Sequence, residues 1–311
     1  SLPAYPFERV RCWYPEFADA PSVVNPLGSA LKLHPFIGVN RSGLDGLRYS
    51  TAIHPGELLD YSFTQGRTQT ILPIVAVEIV LALGRIAGLA GPLSLRGLTV
   101  RGAVAWEDGA ELHAALDPQG DSLLVRLEMA DAAGNRTPYA EALVLAEATA
   151  LPPESVPATG EALDGAAITA RLAERGYAFA PYLEVVTRVL ALPGGGFLCD
   201  LAREHPQQDF FTKNVQLPPR VLAAAYQAML LDMPPSEAPP LLAGIASAVL
   251  GDRAEEVARL LVRPQGDGAY AVRLFDAGGA VLGALDGVLF AAPEALDRAA
   301  PAPVPVTASA A

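Results

Sequence analysis

Cysteine is almost absent: Cys12 and Cys199 are the only two in 311 residues. That excludes a disulfide framework and makes a reducing cytoplasm the expected compartment. Lysine is as scarce, occurring only at Lys32 and Lys213, so the 22 basic residues are nearly all arginine. They are outnumbered by 34 acidic residues, for a net charge of -12. Such a chain repels a phosphate backbone and offers no basic stripe to hold nucleic acid. The four histidines, His34, His54, His113 and His205, are too scattered for a metal site. Long apolar runs are missing too. ILPIVAVEIVLALG at 71–84 is broken before it reaches the roughly 20 residues of a membrane span. The N-terminal SLPAYPFERVRCWYPEF puts aromatic and charged residues where a signal peptide would carry a basic end and an apolar stretch.

What is present is core-forming: 51% of the residues are hydrophobic, enough for one large domain or two ordinary ones. Residues 1–26 combine proline and aromatics without periodicity and read as a linker that packs on a neighbour. In the stretch 27–150, short segments at 47–63 precede an apolar helix at 71–88, buried on most sides. Strand-like runs follow at 93–106, 110–116, 122–130 and 137–148, separated by the turn signals EDG, PQGD and DAAGN. LPPESVPATGEA at 151–162 reads as a surface connection. A second unit, 163–293, repeats the plan. It has strands around 176–192 and at 195–201, a helix at 219–233, and strands at 258–264, 269–276 and 280–291. A sheet wrapped round one apolar helix buries both, so the expected class is α+β, two tandem units. Residues 294–311 are low-complexity and read as flexible linker.

Four segments in order resemble the dehydratase domains of modular polyketide synthases. LPAYPFERVRCWY resembles the end of a linker that follows a ketosynthase region, and LHPFIG at 33–38 the family's His-Pro opening. GYAFAPYLE at 176–184 is similar to its Gly-Tyr-x-Tyr-Gly-Pro-x-Phe signature, and FDAGGAVLGALDGVLF at 275–290 to its last hairpin. The resemblance covers nearly the whole chain and implies a double hotdog fold.

The resemblance also implies a catalytic pair: a His in His-x3-Gly-x4-Pro and an Asp in Asp-x3-Gln or Asp-x3-His. A base removes the proton beside a thioester while an acid protonates the departing β-hydroxyl. Here LLDYSFTQGRTQTILP at 58–73 contains no histidine. Anchoring on Asp60 puts Tyr61 at the base position, anchoring on Gly66 puts Ser62 there, and anchoring on Pro73 puts Thr64. None is a credible base near neutral pH. The pattern Pro-x-Leu-Leu-Asp-x-x-x-Gln lies on PRVLAAAYQ, so Ala223 takes the acid's place while Gln227 remains a turn later.

Tyr61, Gly66, Pro73, Tyr182, Tyr226 and Gln227 are the positions the resemblance places about the acyl substrate. For Tyr61 the alternative is packing at a strand end, and for Gln227 satisfying backbone groups. Glu78 in the apolar helix needs a partner if buried, and the resemblance gives it a structural role. His34 takes a fold role, while His54, His113 and His205 read as solvated. The glycines at 194–196 lack the Lys-Ser/Thr of a phosphate loop and read as a turn. Cys199 alternates with apolar neighbours and reads as a buried hydrophobe.

Among dyad-less relatives, the closest resemblance is to the branching domain of trans-acyltransferase synthases. It implies a module in which a carrier-bound malonyl unit adds in Michael fashion to an α,β-unsaturated chain on the ketosynthase, followed by lactone or glutarimide-type ring closure. The implied partners are the ketosynthase, the acyl carrier protein, the acyl thioester and a second copy of the chain in a homodimer. The domain itself needs no cofactor, because phosphopantetheine arrives with the carrier. The alternatives are an inactive dehydratase remnant with a structural role and, behind it, a pyran-forming cyclase or double-bond isomerase.

Overall fold

Apolar and polar residues alternate along 111–130, and the chain there folds into a hairpin with one face inward. Leu112, Ala114 and Leu116 on one strand oppose Met129, Leu127 and Val125 on the next, and all six are buried. This pattern recurs through a computed structural model. It describes residues 34, 36–54, 61–65, 68–71, 73–101, 109–147, 151, 154–156, 160–202, 215–234, 238–251 and 256–292. The linkers expected at 1–26 and 294–311 lie outside the described residues, as do Gly66 and His205.

In the first half the elements are β1 (Val39–Asn40), β2 (Leu47–Ala52), β3 (Ser62–Gln65), β4 (Thr68–Ile71), α1 (Val75–Ile86), β5 (Leu93–Val100), β6 (Glu111–Gln119), β7 (Ser122–Ala130) and β8 (Arg136–Ala146). The second half contains β9 (Glu161–Asp164), α2 (Gly165–Glu174), β10 (Tyr177–Phe179), a 3-10 turn (Pro181–Leu183), β11 (Val186–Ala191), β12 (Phe197–Leu201), α3 (Pro219–Asp232), β13 (Leu241–Leu250), β14 (Arg259–Gly266), β15 (Ala269–Phe275) and β16 (Val281–Ala291). Thirteen strands form one antiparallel sheet in the order β1-β2-β6-β7-β8-β5-β13-β16-β15-β14-β12-β11-β9. The order β2-β6-β7-β8-β5 is mirrored by β12-β14-β15-β16-β13, with α1 answering α3. The fold is thus two tandem hotdogs fused along β5 and β13.

Both central helices are enclosed. Residues 75–84 of α1 are all buried, and α1 packs on β5, β7 and β8. Full burial of each Val, Ile or Leu contributes about 1.5–3 kcal/mol. In α3, residues 219–230 are all buried. Its start is set by Pro218 and Pro219, whose fixed φ suits a first turn that has no use for their missing N–H groups. Its end lacks a glycine cap. Instead the Arg175 guanidinium donates to the carbonyls of Leu230, Leu231 and Met233.

The structure differs from the sequence expectation at β4, which takes Ile71 from the helix expected at 71–88, at β9, which overlaps the connection expected at 151–162, and at two longer elements. The run LLAGIASAVL at 241–250 was assigned no element, yet it is β13, the seam strand. It is specified by its partners, pairing β5 on one side and β16 on the other. Its small residues answer the local geometry: Gly97 (φ 61) and Gly287 (φ 62) flank Ala246 across the seam. A Cβ on Gly287 would meet the Ala246 Cβ at 2.6 Å. The second is α2, absent from the sequence reading although Asp164 caps it by accepting from Ala167 N at 2.7 Å. The glycines at 194–196 form the expected turn, with Leu192 N donating to Gly196 O at 3.0 Å.

Candidate functional site

The two halves are knitted together a second time, outside the main sheet. β3, which carries the base candidates, pairs with β10, which carries the GYAF segment, with Phe63 opposite Phe179, Thr64 opposite Ala178 and Gln65 opposite Tyr177. Strand alternation turns Phe63 inward, onto Phe179 at 5.5 Å and Tyr226 of α3 at 5.8 Å between ring centroids. Tyr226 also stacks on Phe290 at 5.0 Å. Tyr61, just before β3, meets Phe36 edge-on at 4.9 Å and Tyr182 of the 3-10 turn at 5.3 Å.

The positions singled out in the sequence are therefore neighbours in part. Tyr61 and Tyr182 are in ring contact and both buried. Ser62 is buried and its carbonyl accepts from Ala180 N at 3.0 Å, while Thr64 is half-buried. Pro73 is buried at the entrance to α1, its carbonyl accepting from Ala76 N at 3.0 Å. On α3, Ala223 is 0% exposed. Tyr226 donates its hydroxyl proton to Pro240 O at 2.7 Å, and Gln227 Nε2 donates to Leu183 O at 2.8 Å. Gln227 thus satisfies a backbone group, the Leu183 carbonyl. The turn that brings Tyr182 to Tyr61 thus also holds Gln227, one helical turn beyond Ala223.

The two enclosed titratable groups on α3 and β12 ionise less readily than usual. Burial pushes the Tyr226 phenol well above its ordinary range, so it does not ionise near neutrality. Cys199, expected to face inward, is fully buried on β12, and burial raises its thiol far above the usual value. His54 is exposed, and His113 lies 3.1 Å from Glu111 on the sheet surface. Glu184, next to the 3-10 turn, is exposed.

A buried histidine–carboxylate pair does exist, but it has no spare capacity. Glu78 on α1 is fully enclosed; its Oε1 lies 3.0 Å from His34 Nε2. Its carboxylate also accepts from Gln216 N at 2.9 Å and Leu217 N at 2.7 Å, at the approach to α3. His34 Nδ1 accepts from Phe36 N at 3.3 Å, so the proton sits on Nε2. Every strong site on the pair is occupied by the chain. Burial pushes the Glu78 carboxyl up, and the donors converging on it oppose that shift. The pair ties the opening segment, α1 and the approach to α3 together. The need for a partner was legible at Glu78; the partners were not.

Arg220 escaped the sequence reading. It is 2% exposed in the first turn of α3, with Nη1 3.5 Å from Ala202 O and no hydrogen-bond partner for Nε. Burial lowers its pKa, opposed by the neighbouring Tyr182 phenol. A lone charge in an otherwise apolar turn, three residues before Ala223, was the available signal. Among the described residues, no cluster of three or more His, Cys, Asp or Glu could hold a metal. None of the described helices is long and apolar enough to cross a membrane.

No family model matches the sequence, and no curated protein does. Solved structures do match. A trans-AT polyketide synthase dehydratase domain from Brevibacillus brevis superposes with a TM-score of 0.72 at 18% identity, over 84% of this chain and 99% of that one. The dehydratase domain of RzxB from Pseudomonas fluorescens gives 0.69 at 20% identity, over 84% and 99%. That of PpsC from Mycobacterium tuberculosis, solved with C12:1-CoA, gives 0.70 at 20% identity, over 83% and 99%. At these identities the likeness is one of fold: the chain has the double hotdog of polyketide synthase dehydratase domains.

Proposed function

We propose that this chain is a non-dehydrating, dehydratase-like domain of a modular polyketide synthase that assists β-branching. In this reading a malonyl unit, held on the phosphopantetheine arm of an acyl carrier protein, adds in Michael fashion to an α,β-unsaturated chain on the ketosynthase. The branch then closes to a lactone or glutarimide-type ring. The ketosynthase supplies the covalent chemistry. This domain holds the loaded carrier near it, and orientation supplies the rate.

The observation that carries the reading is the state of α3. At the position the resemblance gives to the acid there is a fully enclosed methyl group, Ala223. The polar groups that follow, Tyr226 and Gln227, are committed to backbone carbonyls. None of Tyr61, Ser62 and Thr64 is a base near neutral pH. One of two inactive neighbours in fold supports the idea that such a domain keeps a binding role. The CurK and CurJ dehydratases are inactive when one histidine is exchanged for phenylalanine, and the inactive CurJ domain was nevertheless solved with a bound compound.

A second reading, a structural remnant that binds nothing, is favoured by the packed rings of Tyr61, Phe63, Phe179, Tyr182 and Tyr226, all of them buried. Reconstitution separates the two. The adjoining ketosynthase, loaded with an enoyl thioester, is mixed with malonyl carrier with and without the 311-residue chain. Branched product that depends on the chain supports the proposal; equal product without it leaves the remnant reading.

A further inference from the structure

We infer that Arg220 is a carboxylate-binding residue, and that it lets the domain distinguish a malonyl thioester from an acyl thioester without a free acid. This deepens the proposed function and rests on that reading for the identity of the ligand.

The case starts from a charge without a partner. Arg220 is 2% exposed, its Nε has no hydrogen-bond partner, and Nη1 makes one long contact of 3.5 Å to Ala202 O. No carboxylate pairs with it among the described residues. Among the described residues, the ionisable neighbour that influences it is the phenol of Tyr182. Guanidinium carries five donors in a planar fork, and burying it with one weak acceptor is costly unless an anion completes the set. A carboxylate matches that fork with two parallel hydrogen bonds, and low local dielectric strengthens the pair.

Position narrows the ligand. Arg220, Ala223 and Gln227 follow one another at helical spacings of three and four, so they share one face of α3. Gln227 shows what that face meets, the 3-10 turn at Leu183. Arg220 lies toward the same segment, since Ala202, its carbonyl partner, donates from N to Val185 O at 2.8 Å. The first turn of α3 adds the positive end of a helix of 14 residues. An acyl unit held on this face of α3 would bring its own end group to Arg220. The phosphate of the pantetheine arm stays an arm's length behind the thioester. A free carboxylate on the acyl unit is the group that fits, and in the proposed reaction malonyl is the unit that carries one.

The test compares malonyl-pantetheine with acetyl-pantetheine, which differ by that carboxylate, titrated into the full chain by calorimetry. The expected result is at least about tenfold tighter binding of the malonyl thioester, about 1.4 kcal/mol. In Arg220→Gln the preference vanishes, while acetyl-pantetheine binding and the melting temperature stay near wild type. Arg220→Lys retains part of it. Equal affinity of the wild-type chain for both thioesters would overturn the inference, as would a preference that survives in Arg220→Gln. If Arg220→Gln does not fold, the Nε–H resonance of Arg220 in the wild-type chain decides. It shifts on adding malonyl-pantetheine and not acetyl-pantetheine; a resonance unmoved by both overturns the inference. These measurements need no ketosynthase. A malonyl preference without chain-dependent branching sinks the branching reading and keeps the site, and the reverse result sinks the site alone.

Discussion

Replacing Glu78 by alanine takes the carboxylate from three donors, the buried His34 Nε2 and Leu217 N and the part-buried Gln216 N, which now lie 2.7–3.0 Å from it. Each orphaned buried donor costs about 1–3 kcal/mol, so the sum is roughly 3–9 kcal/mol, toward the lower end if water enters the space. Native domains have only about 5–15 kcal/mol in hand. For a chain of this size 1 kcal/mol moves the melting temperature by about 2–4 °C, so a drop of at least about 6 °C is expected. Glu78→Gln falls less, because its amide oxygen still accepts, although its NH2 meets an N–H. Thermal unfolding followed by circular dichroism reads both. A Glu78→Ala protein that melts within about 2 °C of wild type would refute the view that this carboxylate ties the opening segment, α1 and the approach to α3 together.

The same residue sets a pH dependence. Burial raises its carboxyl above the ordinary 4.5, so the folded chain holds that proton more tightly than the unfolded one. Its contribution to stability is complete below the unfolded pKa and is lost as pH rises through the folded one. The stability gap between wild type and Glu78→Gln therefore narrows as pH rises from the ordinary carboxyl value of 4.5 through the raised folded one, and a widening gap in denaturant melts would contradict this. Gly287→Ala forces a φ of 62° on a residue with a Cβ and drives that atom to 2.6 Å from Ala246. The expected loss is about 1–3 kcal/mol in urea unfolding, and a neutral result would mean that the seam tolerates a side chain there. Tyr226→Phe strands the Pro240 carbonyl that now accepts at 2.7 Å, for a loss of about 1–2 kcal/mol by the same assay. Cys199 is fully buried with its thiol raised, so mass spectrometry finds it unalkylated by iodoacetamide until the chain unfolds; rapid native labelling would contradict the packing.

Legibility from the sequence followed how local the cause was. Alternation and turn signals placed β6, β7, β8, β14, β15 and β16 close to their observed spans, because each presents one apolar face. β13 was missed because its alanines, glycine and serine have low strand preference; two flanking strands and a bulged seam determine it. Asp164 gives a capping signal for α2, but that helix buries only Ile168 and Leu172, too few for a clear helical stripe. At the site, the residues of α3 were located by pattern. Their contacts, Leu183 for Gln227 and Pro240 for Tyr226, come from segments whose arrival depends on the whole fold. Arg220 went unnoticed because a charge near a helix start usually faces solvent, and only the enclosing turn shows that this one does not.

Measuring α-proton exchange tests most directly whether the domain has lost its own acid–base chemistry. The chain is incubated in heavy water with a β-hydroxyacyl thioester on its carrier, and the acyl group is released and weighed. The account predicts no enoyl product and no deuterium at the α-carbon above the rate without the chain. Deuterium uptake or dehydration that depends on the chain would show a working base in it and contradict the account.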